Sequence, residues 1–280
     1  MPGTARVRTV EVPVTDPAPD LVLPSAGPDP LPFDTALAAV LGYVRGRRPL
    51  WFRSPSQPDG RWVHVPAFGY ERFDRLPPDD GPPGDHDVLI AEGLHGRLDR
   101  AGWTAVRTVL DEVWPLADSA VVRAAGRGLE ELPEDEFSVL AEPGTVGAAL
   151  REIWTLAAET PGVRPQFVAA VLHHRHPRLI PSADATTRRQ LWPHLREGDS
   201  GLAAVVHREL RANADAFTAL ERAVGDLLAG ARAPSRLRLH DMLLWLAGSL
   251  RLPAAVALGR ATGEWDGSVS LAGASPGRGR

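Results

Sequence analysis

The chain has 280 residues, of which 44 % are hydrophobic and 24 % charged, a composition typical of a soluble globular protein. It contains no Cys, which excludes disulfides, thiolate nucleophiles and Cys-ligated zinc or iron–sulfur clusters. All 31 basic side chains are Arg, and the absence of Lys excludes a Schiff-base lysine and a lysine-bearing phosphate loop.

Charge is distributed unevenly along the chain, although the net charge is only −4. Residues 1–150 carry 14 Arg and 23 acids, a balance of −9, whereas residues 151–280 carry 17 Arg and 12 acids, a balance of +5. Within residues 161–196 there are six Arg and a single acid, Asp184. This distribution indicates an anionic partner for the second half of the chain.

The N-terminal third divides into short segments. Residues 1–32 are rich in Pro and Asp and lack the apolar stretch of a secretory signal. Residues 33–76 combine a predicted helix with aromatic-rich and Arg-rich stretches, which favours a small α+β segment. Between residues 45 and 73 these side chains suit either a partner surface, for nucleic acid or protein, or a small sheet whose aromatic rings form its core. The stretch PPDDGPPGD at 77–85 has no periodicity and predicts a linker.

The remainder of the chain is predicted to be helical. From residue 86 to residue 252 apolar residues recur at spacings of three and four, which predicts an all-α domain. Residues 253–280 form an extension whose Gly-rich tail we expect to be disordered. The longest apolar run, MLLWLAG at 242–248, is much shorter than a membrane span, so we expect a cytoplasmic protein without membrane association.

Two helices joined by a tight turn stand out within this domain. TVGAALREIWTLAAE at 145–159 predicts the first helix, and PQFVAAVLHHR, starting at Pro165, predicts the second. Gly162 supplies backbone freedom for the turn, and Pro at the first helical position loses no hydrogen bond. The free N–H groups at the start of the second helix are a ready site for a phosphate oxygen. A packing corner between two apolar helices produces the same pattern.

The residues around this turn resemble the motif of the helix–hairpin–helix DNA glycosylase superfamily. That motif runs Leu-Pro-Gly-Val-Gly, then a helix, then an aspartate about twenty residues further on and an Arg-bearing helix. Here TPGVR stands at 160–164 and IPSADATTR at 180–188, so that Gly162 and Asp184 are 22 residues apart. The resemblance extends over about residues 145–195. The same segment also resembles a set of GC-rich bacterial proteins of unknown function.

The resemblance implies a mainly α, glycosylase-like fold with DNA as its partner. It implies that Gly162, Val163 and Arg164 bind the DNA backbone, with Arg188 and Arg189 of the following helix assisting. Arg164 replaces the second glycine of the motif, which puts the close approach of the backbone at that point in doubt, although its guanidinium can reach a phosphate.

The same resemblance implies a chemistry. Asp184 is the expected catalytic residue of a monofunctional DNA N-glycosylase, where its carboxylate stabilises the oxocarbenium-like sugar. Gln166 stands where bifunctional members carry a lysine and is expected to contact the flipped base. Lysine-dependent lyase activity is excluded.

Two alternatives remain open at this stage. Asp184 is equally suited to cap the helix that follows it. The helices are also compatible with a catalytically inactive scaffold that binds a protein or small ligand through the aromatic N-terminal segment.

Histidines supply further candidate chemistry. His173, His174 and His176 have spacings that suit a metal, but the dipole at a helix C-terminus favours imidazoles without one. We predict no metal and no cofactor. His240 and Asp241 form either a general-base pair or the polar edge of a buried helix.

Overall fold

The structure is a computed structural model that describes residues 18–54, 57–66, 68–79, 81–228 and 232–261. Over these residues it is mainly α-helical, which confirms the predicted class. Most of the predicted N-terminal segment at 1–32, and residues 262–280 of the predicted extension at 253–280, lie outside the described residues. The helices are α1 (Phe33–Arg45), α2 (Asp85–His95), α3 (Arg100–Ala124), α4 (Val146–Glu159), α5 (Pro165–Arg175), α6 (Ala185–Leu191), α7 (Leu202–Ala212), α8 (Ala214–Leu228), α9 (Arg236–Gly248) and α10 (Leu252–Arg260).

Two strands follow α1 and pair antiparallel, β1 (Arg47–Ser54) and β2 (Gln57–Pro66). Their side chains lie outside the described residues, and so does most of the aromatic and Arg-rich surface predicted at 45–73. Phe68 and Tyr70, which follow β2, are described and are buried in the core.

The helices pack in two groups. In one group α1 packs against α8, α9 and α10, so that the beginning and the end of the described chain meet. In the other group α2, α3, α4 and α5 pack together, and α6 lies against α7 and α9. A continuous hydrophobic cluster extends from Leu21 to Ala255, so the core takes residues from both sides of the predicted linker.

The α4–α5 pair forms for local reasons that are visible in the sequence. Thr145 caps α4 by accepting the N–H of Ala148 at 3.3 Å. Pro165 is the first residue of α5, where its fixed φ suits a helix and its missing N–H has no cost. The core-facing side of α4 buries four residues at helical spacing: Val146, Leu150, Ile153 and Ala157.

Buried ion pairs hold α9 to the segment that follows β2, and α5 to α2. Arg238 of α9 donates to Asp74 at 2.6 Å and also pairs with Asp241. All three side chains are buried. Arg175 of α5 pairs with the buried Asp87 of α2 at 2.6 Å. Such pairs stabilise a fold only when every member is satisfied, and so they fix how distant segments meet.

Candidate functional site

The turn between α4 and α5 has a backbone that requires glycine. Gly162 has φ = 80°, in the left-handed region that a Cβ atom disfavours. The N–H of Val163 donates to the carbonyl of Thr160 at 3.2 Å and closes the turn. Pro161, Gly162 and Arg164 are exposed, so the turn lies at the surface.

The amide groups of this turn are available to a ligand. Within the described part of the chain, the N–H groups of Gly162 and Gln166 donate to no acceptor. The first turn of α5 carries no acidic side chain that would neutralise the positive end of the helix dipole. An anion therefore fits this position on both grounds.

Three side chains connect the turn to the interior. The Arg164 guanidinium lies over the Phe167 ring, 4.6 Å from its centroid, and donates to the carbonyl of Arg97 at 3.0 Å. On the interior side, the ring of His95 meets Phe167 with a centroid separation of 5.2 Å. His95 is the last residue of α2 and also lines a cavity.

That cavity contains Asp184. It has a volume of about 120 Å³ and lies between α1, α2, α9 and the loop before α6. Oδ1 of Asp184 accepts the N–H groups of Thr186 and Thr187, each at 2.8 Å, so Asp184 caps α6. Its Oδ2 accepts no hydrogen bond from any described residue. One oxygen of this carboxylate therefore caps the helix, and the other is available to a ligand.

Aromatic rings form one wall of this cavity. Tyr43 and Phe68 stack with a centroid separation of 5.2 Å and an interplanar angle of 11°. Trp245 stands edge-on to Phe68 at 6.1 Å and 88°. The wall therefore places apolar aromatic rings in the lining of the cavity that contains the Asp184 carboxylate.

Arg238 and Asp241 form another wall. Arg238 donates to the Tyr43 hydroxyl at 2.9 Å, and the Thr187 hydroxyl donates to Asp241 at 3.0 Å. Burial raises the pKa of the Asp241 carboxyl to about 6, against the effect of Arg238 and with the added effect of the Asp184 charge. Burial also raises the pKa of the Tyr43 hydroxyl. These groups hold one another in place and leave the Oδ2 of Asp184 unpaired.

His95 is neutral in this setting. Burial lowers its pKa to about 4, although the charge of Asp184 opposes that shift. Its Nε2 atom is buried and has no hydrogen-bond partner among the described residues. A neutral imidazole with a free nitrogen can accept or donate one hydrogen bond to a bound molecule.

Two exposed arginines also line the cavity. Arg72 and Arg251 pair with no carboxylate in the described ranges. The Arg251 guanidinium lies 5.2 Å from the centroid of the Trp245 ring. The site thus combines an acid, flat rings and unpaired surface cations.

A comparison with known protein families matches residues 60–248 of the chain to one family, DUF6308, described as a family of unknown function. The match covers more than half of the chain. The chain belongs to the DUF6308 family. No curated protein and no solved structure matches it significantly. The DUF6308 region includes the turn and Asp184, whereas Tyr43 and Arg251 lie outside it.

The two predicted arginines of α6 do not line the Asp184 cavity. The Arg188 guanidinium lies 3.7 Å from the centroid of the Trp154 ring and faces a second, apolar cavity. Arg189 is exposed. His95 contacts Phe167 of α5 and lines the Asp184 cavity, whereas the turn residues and Gln166 do not line that cavity, and Arg188 is directed elsewhere.

The histidine cluster is occupied by structural contacts. His173 hydrogen-bonds the carbonyl of Ile180 at 2.7 Å, and His174 hydrogen-bonds the carbonyl of Leu76 at 2.8 Å. His176 stacks on Trp114 at 5.4 Å. No group of three His, Asp or Glu residues within the described ranges has the arrangement of a metal site.

The predicted pair in α9 separates into two structural contacts. His240 bonds Glu209 at 2.7 Å, whereas Asp241 bonds Arg238 and Thr187, so the two side chains have different partners.

Within the described residues no single helix is long and apolar enough to cross a membrane; α9 and α10 pass that test only together, as a pair bent by 117°.

Several residues of the site were not predicted from the sequence, namely Tyr43, His95, Arg238, Trp245 and Arg251, whereas Arg72 lies within the segment at 45–73 that was weighed as a partner surface. One signal was present in RLRLHDMLLWLAG, since a helix with apolar residues around its whole circumference must bury its charges, and buried charges need partners. Nothing in the sequence indicates which distant residues those partners are.

Proposed function

We propose that this DUF6308 protein binds DNA through the turn at Gly162–Gln166 and receives one nucleotide of the bound strand in the Asp184 cavity. One observation carries the proposal: His95 lines the cavity with Asp184, and its ring packs on Phe167 in the first turn of α5. A strand held at the turn is thereby held beside the cavity. We also propose that the α4–α5 hairpin corresponds to the helix–hairpin–helix of the DNA glycosylase superfamily.

Electrostatics supports a phosphate backbone as the ligand of this surface. The free amides of Gly162 and Gln166 suit a phosphate oxygen, and the exposed Arg164 adds a full charge beside them. Arg72 and Arg251 at the cavity extend the positive surface. Contacts of this kind supply most of the affinity of proteins for DNA and are weakened by salt.

The cavity suits a base that has left the helical stack. Its volume of about 120 Å³ is close to that of cavities known to hold a single aromatic ring. The faces of Tyr43, Phe68 and Trp245 allow stacking, which is worth about 1–3 kcal/mol per base in single-strand binding. Extrusion of a nucleotide is required of any enzyme that acts on a base within duplex DNA.

The chemistry that fits these residues is hydrolysis of the bond between base and sugar. The oxygen of water bonds to C1′ of the sugar, the C1′–N bond breaks, and the base leaves with the bonding electrons and takes up a proton. Asp184 faces the positive charge that develops on the sugar and stabilises it. Without Lys the chain forms no imine between a lysine amine and the sugar, so lysine-dependent strand cleavage is excluded.

Binding is tested by the anisotropy of a fluorescein-labelled duplex. Arg164→Gln is expected to weaken affinity about tenfold, since a charge-assisted contact to phosphate is lost. Arg222→Gln, which removes an exposed charge on α8 away from the cavity, is the matched control and is expected to change affinity less than about twofold. Equal losses in the two variants would contradict binding at the turn.

Chemistry is tested by the release of free base from duplexes that each carry one modified base. Asp184→Asn keeps an oxygen that can cap α6 but removes the charge, and we expect it to lower release at least about a hundredfold. Binding of the same duplex should remain. Release at the wild-type rate would assign Asp184 to capping alone.

A further inference from the structure

A second cavity lies on the other side of α6, between α4, α5 and α7. It has a volume of about 170 Å³ and a mostly apolar lining, including Leu150, Trp154, Leu172 and Ile180. It shares no lining residue with the Asp184 cavity. An apolar cavity of this size holds a small hydrophobic molecule without cost in polar contacts.

The charged residues in this lining are both basic. Arg151 and Arg188 line the cavity, and among the described residues that line it there is no acid. The Arg188 guanidinium forms no hydrogen bond or ion pair with any described residue, and its one specific contact within the described residues is the Trp154 ring, whose centroid lies 3.7 Å from the guanidinium carbon. Burial alone lowers the pKa of its guanidinium. A partly desolvated cation without a counter-ion favours an anionic ligand.

A polar atom on the same wall also has no partner. Ser200 is 4 % exposed, and its hydroxyl forms no hydrogen bond with any described residue. Buried hydroxyls in folded proteins normally have a partner, so an unpaired one in a cavity wall is available to a bound molecule. Arg188 and Ser200 come from different elements and point independently to a ligand.

From these contacts we infer that the second cavity binds a small apolar monocarboxylate, such as a medium-chain fatty acid. The carboxylate pairs with the Arg188 guanidinium, whose planar N–H groups match its two oxygens. The hydrocarbon part lies against Leu150, Leu172 and Ile180. The half-buried Arg188 guanidinium and the Ser200 hydroxyl suit a single negative charge, because Arg151, the other basic residue of the lining, is exposed to solvent. The apolar lining excludes a highly polar body.

The test uses the full chain and sodium octanoate, followed by tryptophan fluorescence and calorimetry. Trp154 and Trp192 line the cavity and report its occupation. We expect saturable binding of octanoate and at least about tenfold weaker binding of octan-1-ol, which has the same chain length without the charge. No saturable binding up to millimolar octanoate, or equal affinities for acid and alcohol, would overturn the inference.

Variants locate the site. Arg188→Gln is expected to weaken octanoate binding at least about tenfold, whereas the neighbouring Arg189→Gln, an exposed position outside the cavity, leaves it unchanged. Equal losses would overturn the inference. Ala203→Phe, which places a ring in the cavity wall, is expected to abolish binding of both acid and alcohol. If Arg188→Gln fails to fold, the test rests on Ala203→Phe and on the comparison of octanoate with octan-1-ol. Retained octanoate binding in Ala203→Phe would show that octanoate does not bind in this cavity.

Discussion

Each of the two cavities beside α6 has an arginine that is at least partly buried, and these two arginines, Arg238 and Arg188, have opposite surroundings. In the Asp184 cavity, Arg238 is 4 % exposed and lies between two acids, Asp74 and Asp241. In the apolar cavity, Arg188 lies on the Trp154 ring and has no acidic partner among the described residues. The helix that Asp184 caps thus carries Arg188 one turn later into a different environment.

The difference separates scaffold from ligand site. A buried charge that has partners cannot be removed cheaply, because the partner is left unpaired, and so it fixes the positions of the elements it joins. A partly buried charge without a partner contributes little to the fold and remains free to pair with a ligand. By the same criterion Arg238 stabilises the walls of the Asp184 cavity, and the unpaired Oδ2 atom of Asp184 is available to contact a ligand.

The largest expected effect is on the scaffold. Arg238→Met leaves Asp74 and Asp241 buried without a counter-charge, and we expect it to lower the free energy of unfolding by about 3–5 kcal/mol. Arg178→Met removes an arginine whose pair with Glu131 is 61 % and 50 % exposed, and should cost no more than about 1 kcal/mol. Urea unfolding measures both. Similar values for the two variants would break the distinction between the cavities.

Acid tests the neutral state of His95. Its pKa is about 4 in the folded chain against 6.5 when unfolded, so the folded state binds its proton less readily. Stability is therefore full above pH 6.5 and is lost as the pH falls from 6.5 towards 4. When the pH falls from 7 to 5, we expect the free energy of unfolding to decrease by about 2 kcal/mol less in His95→Gln than in the wild type. Identical pH profiles of the free energy of unfolding would contradict a neutral, partly buried His95.

The turn is tested by adding a Cβ branch. Gly162→Val forces a β-branched residue to φ = 80°, and we expect a loss of about 1–3 kcal/mol in unfolding free energy. Gly225→Ala is the control, since this α8 residue has open space around its Cβ position, and alanine there should stabilise by about 1 kcal/mol. A neutral Gly162→Val would mean a different turn.

A smaller effect on stability distinguishes the capping hydrogen bonds of Asp184 from its charge. Asp184→Ala removes the cap of α6 and should cost about 1 kcal/mol, whereas Asp184→Asn keeps a capping oxygen and should cost less than about half of that. Thermal unfolding measures both. Equal losses would show that the charge, not the cap, stabilises the helix.

The smallest effect is expected in the apolar cavity. Arg188→Met loses the contact with Trp154 but also removes a desolvated charge, so we expect a change within about 1 kcal/mol in either direction. A decrease in the free energy of unfolding as large as that of Arg238→Met would mean that Arg188 stabilises the fold and has a partner within the protein.

Local features of the site could be predicted from the sequence. The second helix starts at Pro165, Gly162 has positive φ and Asp184 caps α6, because each depends on a few neighbouring residues. The helical class followed from the spacing of apolar residues in the same way.

Contacts between distant segments could not be predicted. Arg238 and Asp74 are 164 residues apart, and only the packed fold brings them together. Arg188 shows the limit most plainly, since a sequence motif favours a DNA contact while packing directs the side chain onto Trp154. Side-chain direction on a short helix depends on which neighbours surround it, and one sequence does not contain that information.

DNA binding at the turn is tested most directly by the affinity of the wild-type chain for a labelled duplex at two salt concentrations. With about three phosphate contacts, from the turn and the exposed arginines, affinity should fall at least about tenfold between about 50 mM and 200 mM salt. An affinity that is absent, or that stays constant over this range, would contradict the account.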